Sequence, residues 1–239
     1  MEIQDRVILI TGASSGIGAA TARAAAAAGA RVVLAARRED RIRELAHELG
    51  DAIAVRCDVT DQRQVASLVH AALDTFGRID VLVNNAGQGL QAEVEQLSLD
   101  DFRAVLELNL LAPLVAMQAV LPTMRQQREG AIINVSSGTT FADVPGTGGY
   151  VASKIALERL STIARNELEG SGVTVSTIIP FATSTEFLAS MKAGRSEAET
   201  MTAGAAFDSP EQVAEAILEL VITGDARKDL VPAAYGGTR

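Results

Sequence analysis

The chain has 239 residues, 48% of them hydrophobic, and a formal net charge of −9 from 21 basic and 30 acidic side chains. That length suffices to bury about 70–75% of the unfolded surface in one large α/β domain, and the acidic balance argues against nucleic acid or an anionic membrane as the principal partner. The single cysteine, Cys57, excludes an internal disulfide and fits a cytoplasmic setting, where it reads as a small apolar filler.

The opening MEIQDR has no basic stretch followed by an apolar one, so no secretory signal is expected. Leu110 to Leu121, the longest apolar helical stretch, is interrupted by Pro113 and Gln118 and reads as too short to span a bilayer. Val7–Ile10 is a short apolar run of the kind buried in a parallel sheet. It leads into TGASSGIG, Thr11 to Gly18, and then an alanine-rich helix over Ala19–Ala28 that Gly29 ends. A strand, a glycine loop and a helix N-terminus in that order form an anion site, because unpaired N–H groups and the helix dipole face the loop.

Arg31–Ala35 is the second strand and completes a βαβ unit. NAD-binding units usually carry an acid just after this strand for the ribose 2′-hydroxyl, whereas arginine suits a 2′-phosphate. Here the sequence reads Ala36-Arg37-Arg38, within a stretch from Arg31 to Arg43 that holds five arginines against two acids. Arg37 is the first choice and Arg38 the second, and one charge-assisted hydrogen bond there gives roughly 10- to 100-fold preference for NADP over NAD. Arg41 and Arg43 read as solvated charges at a helix start.

The alternation continues with helix Asp40–Leu49, strand Ala52–Arg56, helix Asp61–Phe76 and strand Val81–Asn84, which predicts a doubly wound parallel sheet. Asp58, at the carboxyl edge of the third strand, either accepts from an adenine amino group or caps the turn before the next helix. NNAG, Asn84 to Gly87, ends the fourth strand at the same crevice. Leu106–Met124 is apolar on nearly every side, which predicts cover by the sheet on one face and a second subunit on the other. Asn109 is its polar exception, either a satisfied core residue or one aimed at the crevice.

Ala131–Val135 is a fifth strand with Ser136 and Ser137 at its carboxyl end, followed by a helix over Tyr150–Leu168 and a strand over Val173–Ile179. With Gly146, Gly148 and Gly149 as a loop, Tyr150 and Lys154 become an i,i+4 pair on one helix face. At ~6 Å and an effective dielectric near 20 the ammonium contributes roughly 3 kcal/mol, about two pKa units, drawing the tyrosine towards 8 and into the range for proton exchange. Segment 181–209 carries Phe181, Phe187, Phe207, Met191 and Met201 among small residues and reads as a lid over an apolar pocket. A helix over Pro210–Ile222 and a short strand at Leu230-Val231 end the chain.

Taken together, Thr11 to Gly18, Asp58, Asn84 to Gly87, Asn109, Ser137, Tyr150 and Lys154 resemble the short-chain dehydrogenase/reductase family over essentially the whole chain, in its compact form. The resemblance implies a seven-stranded Rossmann sheet, a nicotinamide cofactor and a homodimer or homotetramer built partly from the long helices. It implies that Tyr150 exchanges a proton with the substrate oxygen, that Lys154 lowers its pKa and holds the nicotinamide ribose, that Ser137 hydrogen-bonds the substrate oxygen, and that Asn109 anchors a proton-relaying water. Gly12, Ser14, Ser15, Gly16, Ile17 and Gly18 match the pyrophosphate loop, Asp58 and Val59 the adenine contact, Asn85 the adenosine side, with Ala86 and Gly87 in the same cofactor-binding turn, and Thr185, with Thr183 a weaker candidate, the nicotinamide amide. No metal is implied. One departure stands out: Pro180 is followed by Phe181 where many members have glycine, and phenylalanine does not readily take a positive φ.

These readings lead to an NADP(H)-dependent oxidoreductase acting on a small, fairly apolar carbonyl compound or its secondary alcohol. A 3-oxoacyl-carrier reductase, for which Arg125 and Arg128 offer little of the basic docking patch required, and a non-catalytic NADP-binding protein are the alternatives.

Overall fold

Every residue of the first strand, β1 (Val7–Thr11), is buried, with Ile8 and Ile10 in one core cluster and Val7 and Leu9 in the other. A strand apolar on both faces needs helices on both sides, and the chain supplies them. The computed structural model, which describes residues 1–201 and 207–238, adds β2 (Arg31–Ala36), β3 (Ala52–Arg56), β4 (Val81–Asn84), β5 (Gly130–Val135), β6 (Val173–Ile179) and β7 (Arg227–Asp229). All pair in parallel in the order β3-β2-β1-β4-β5-β6-β7. This is the expected seven-stranded Rossmann sheet.

Helices α1 (Gly16–Ala27), α2 (Glu39–Leu49) and α8 (Pro210–Thr223) cover one face, and α3 (Gln62–Phe76), α5 (Ala112–Gln127) and α6 (Gly148–Glu167) the other. Among the described residues, two short helices, α4 (Leu99–Leu106) and α7 (Arg195–Met201), complete the set. Strand order reverses between β1 and β4, which opens a crevice at the carboxyl ends of the strands, where ligands bind in such sheets.

Local chemistry fixes several boundaries. Asp61 caps α3 by accepting from the backbone N–H groups of Arg63 and Gln64, and Ser209 with Gln212 forms a reciprocal capping box on α8. Helix α6 begins at Gly148, so of the three glycines expected in the preceding loop only Gly146 lies outside it, with φ of 80°.

Three expectations are corrected. The last strand is Arg227–Asp229 rather than Leu230-Val231, because an edge strand draws on backbone pairing and tolerates charge, while Leu230 and Val231 are buried after the chain has turned inward. The long apolar helix starts earlier: α4, a π-helical turn over Glu107–Leu111 and α5 run unbroken from Leu99 to Gln127. Those 29 residues are long and apolar enough to cross a bilayer, contrary to the sequence reading, but Ala112, Ala116, Met117, Val120 and Met124 are buried against the sheet. Of the expected lid, residues 202–206 and the Met201 side chain lie outside the described residues.

Candidate active site

Between β1 and α1 the chain turns on Gly12 and Gly16, with φ of 68° and 54°. A Cβ on Gly18 would lie 2.5 Å from the Gly12 carbonyl oxygen, so the loop closes only around glycine. Ser15 is the N-cap of α1 but its side chain makes no capping hydrogen bond, and the first turn carries no acid. The orphan N–H groups and the dipole at this end suit a phosphate, so the residues present fit the pyrophosphate of a dinucleotide. Ile17 packs partly buried against the core beside them.

After β2 the two arginines part. Arg38 reaches back over the loop, donating from Nε to Ser14 Oγ at 3.0 Å and from Nη2 to Ser15 Oγ at 2.6 Å. Its Nη1 donates at 2.7 Å to Glu186, which also takes bonds of 2.9 Å from Arg41. Arg37 is exposed and is not among the residues gathered here. Of the two, Arg38 is the one that lies over the loop, and Arg41, read as a solvated charge, belongs to the cluster. The two guanidinium groups hold the Glu186 carboxyl at a pKa of about 2.

Asp58 takes the capping role: its Oδ1 accepts from the N–H and hydroxyl of Thr60, at 3.1 and 2.8 Å. The Val59 side chain is buried in the core. Asn85 braces the glycine loop from behind, its Nδ2 donating to the Thr11 and Gly12 carbonyls at 2.9 and 3.2 Å. Thr11 Oγ1 in turn accepts from the N–H groups of Asn85 and Ala86, a link the sequence reading did not single out.

Asn109 sits in the π-helical turn between α4 and α5 and is fully buried. Its amide grips the Gln88 backbone, accepting from N–H and donating to C=O at 2.9 Å each, and donates to Ser153 Oγ at 3.1 Å. A π-turn of this kind re-aims one side chain out of a helical ladder. A Cβ on Gly87 would lie 3.4 Å from both Asn109 Oδ1 and Lys154 Nζ, so the two groups flank that glycine.

Ser137 follows β5 and Tyr150 and Lys154 lie in the first turns of α6, both buried. The Ser137 hydroxyl accepts from the N–H and hydroxyl of Thr139, at 3.3 and 3.0 Å, and Lys154 Nζ donates to the Val135 carbonyl at 2.9 Å. The structure thus brings together Ser137, Tyr150, Lys154 and Asn109. It does not support a tyrosine drawn towards 8. Burial pushes the Tyr150 phenol up to about 12, only partly opposed by Ser137, because Nζ is engaged by Val135 and lies 5.9 Å from the ring centre. Burial pulls Lys154 down to about 8, with the Glu158 carboxylate opposing.

The segment after β6 closes over this end. Phe187 lies 5.8 Å from Tyr150, ring centre to ring centre, and joins a cluster with Leu90, Val105, Leu97 and Phe102. Gln88 Nε2 donates to the Ser190 carbonyl, and Lys192 N–H to that of Gly89. Thr185 packs on the phosphate loop, where a Cβ on Gly16 would lie 3.0 Å from its side chain, while the Thr183 hydroxyl turns back to the Phe181 carbonyl. Phe181 needs no positive φ; its ring is partly buried and packs on Tyr235, ring centres 5.1 Å apart. Glu186 was missed, although it is the one charged residue between Phe181 and Met191, opposite a basic stretch.

Comparison with known proteins identifies the family. The short chain dehydrogenase family profile matches residues 6–196. An uncharacterized oxidoreductase of Staphylococcus saprophyticus is 38% identical over 188 residues, covering 77% of this chain and 76% of its own, and one of Staphylococcus aureus is 33% identical over 219 residues, covering 90% of each. Among solved structures, a short-chain dehydrogenase/reductase from Burkholderia phymatum in complex with NAD superposes with a TM-score of 0.92 at 27% identity, covering 99% of this chain and 92% of its own. A serine dehydrogenase complexed with NADP+ superposes with a TM-score of 0.89 at 28% identity, covering 98% of each chain. Fold, loop and tyrosine site together with these matches place the chain in the short-chain dehydrogenase/reductase family of oxidoreductases.

Proposed function

We propose that the protein is an NADP(H)-dependent oxidoreductase that interconverts a fairly apolar carbonyl compound and its secondary alcohol. The observation that carries this reading is the buried pair Tyr150 and Lys154, with the partly buried Ser137 at the carboxyl edge of the sheet and Phe187 against the tyrosine. A bound nicotinamide would supply or accept the hydride. Tyr150, a protonated phenol at neutral pH, gives its proton to the substrate oxygen during reduction, and Ser137 holds that oxygen. Lys154 and Asn109 position the tyrosine end, and Phe187, Leu90 and Phe102 give it an apolar wall that keeps water out.

The pyrophosphate falls to the α1 N-terminus and its glycine loop. Arg38, lying over Ser14 and Ser15, is the group that favours a 2′-phosphate. Known relatives of this fold carry either cofactor, as the NAD and NADP+ complexes above illustrate, so the preference rests on Arg38. A single-domain, cytoplasmic homodimer or homotetramer fits Leu111 and Ile155, large apolar side chains exposed on the outer helices. Arg125 and Arg128 lie at the end of α5 that leads into β5, at the edge of the sheet opposite the site, and cannot dock an acyl carrier at its mouth. Consumption of NADPH with a panel of ketones and aldehydes tests the reading; NADPH binding without turnover of any of them favours a binding protein instead.

A further inference from the structure

The sequence lacks an acid directly after β2, yet the folded protein supplies one there from a distant part of the chain. Glu186 follows β6 and accepts from Arg38 at 2.7 Å and from Arg41 at 2.9 Å. Nε, Nη1 and Nη2 of Arg38 are all engaged, by Ser14, Glu186 and Ser15 in turn. Those bonds take three of its five N–H groups, so a 2′-phosphate can reach only the two left on Nη1 and Nη2, beside a carboxylate that its like charge expels. A cofactor with a free 2′-hydroxyl faces no such conflict. That hydroxyl can donate to a carboxylate beside the second strand, the role an acid plays in NAD-binding units.

We propose that Glu186 is the residue that sets the balance between NADPH and NADH, as an internal competitor for the 2′-phosphate at Arg38 and Arg41 and an acceptor for the 2′-hydroxyl. The proposal rests on Arg38 being the 2′-phosphate ligand. Neighbouring acids do not duplicate the role: Glu39 pairs with Arg43 at 2.6 Å, and Asp58 is engaged by Thr60. Glu186 is half exposed, so its replacement leaves the core intact.

The test is calorimetric titration of NADPH and of NADH into the wild type, Glu186→Gln, Glu186→Ala and Arg38→Ala. Both Glu186 variants are expected to bind NADPH about 5- to 150-fold more tightly, the usual range of coupling between two sites, while NADH binding does not tighten. Unchanged or weaker NADPH binding in both variants, with Arg38→Ala still losing NADPH affinity, would overturn the competition and leave Arg38 as the phosphate ligand. An Arg38→Ala variant whose NADPH-to-NADH ratio equals that of the wild type would instead remove the Arg38 assignment, and the inference with it.

Discussion

The ring of Phe187 stands 5.8 Å from that of Tyr150, so the segment after β6 supplies the apolar wall beside the proton-exchanging group. A substrate that reaches the phenol displaces or slides along Phe187. Phe187→Ala is expected to lower kcat/KM for an apolar ketone about tenfold, mainly through KM, and to change it less for a small polar carbonyl compound. Equal effects on both substrates, measured by steady-state kinetics, would place the wall elsewhere.

Asn109 holds both backbone groups of Gln88 and the hydroxyl of Ser153 from inside the core. Replacing it by alanine strands polar groups away from water at about 1–3 kcal/mol each. Asn109→Ala is therefore expected to lower stability by about 2–4 kcal/mol, or about 2–4 °C in Tm per kcal/mol, along with activity. Thermal unfolding followed by circular dichroism checks this, and a wild-type Tm would contradict it.

Lys154 carries its charge in a buried site, with a pKa of about 8 against an ordinary value of 10.5. The native state thus binds fewer protons than the unfolded chain between those values, and stability rises with pH across the window. Below about pH 8 the cost of the buried charge is fully present. Lys154→Met removes that cost, about 3.5 kcal/mol at ~1.4 kcal/mol per pKa unit, but strands the Val135 carbonyl at about 1–3 kcal/mol, so a net gain of about 1–2 kcal/mol is expected at neutral pH, with turnover lost. Denaturant unfolding at pH 7 showing a less stable variant would refute the sign.

The same two pKa values set the pH profile. Tyr150 keeps its proton up to about 12, whereas Lys154 loses its charge near 8. For the free enzyme, kcat/KM for carbonyl reduction should fall as pH rises through about 8, following the lysine. A profile flat to pH 10 would speak against the assignment.

Much of this was legible in the sequence because it rests on local rules. Strand runs, the glycine spacing and the 137–150–154 interval follow from backbone geometry over a few residues, and they located six of the seven strands and the tyrosine site. What the sequence could not give depends on contacts between distant segments. Nothing local marks Glu186 as the partner of Arg38, because 148 positions separate them. Which of Arg37 and Arg38 lies over the loop depends on which side chain leaves the strand end towards it. The tyrosine pKa went the other way because an i,i+4 spacing reports proximity, whereas the burial of the ring and the Val135 carbonyl, which engages the lysine, come from tertiary packing.

The central claim is that Tyr150 exchanges the proton with the substrate oxygen. Tyr150→Phe keeps the ring and its packing on Phe187 and removes only the hydroxyl, so NADPH binding should stay within about twofold of wild type while carbonyl reduction falls by about 10²- to 10⁴-fold. NADPH consumption and NADPH titration on the same preparation decide it: lost turnover with intact binding is the expected result, and a Tyr150→Phe enzyme that reduces its ketone at the wild-type rate would contradict the account.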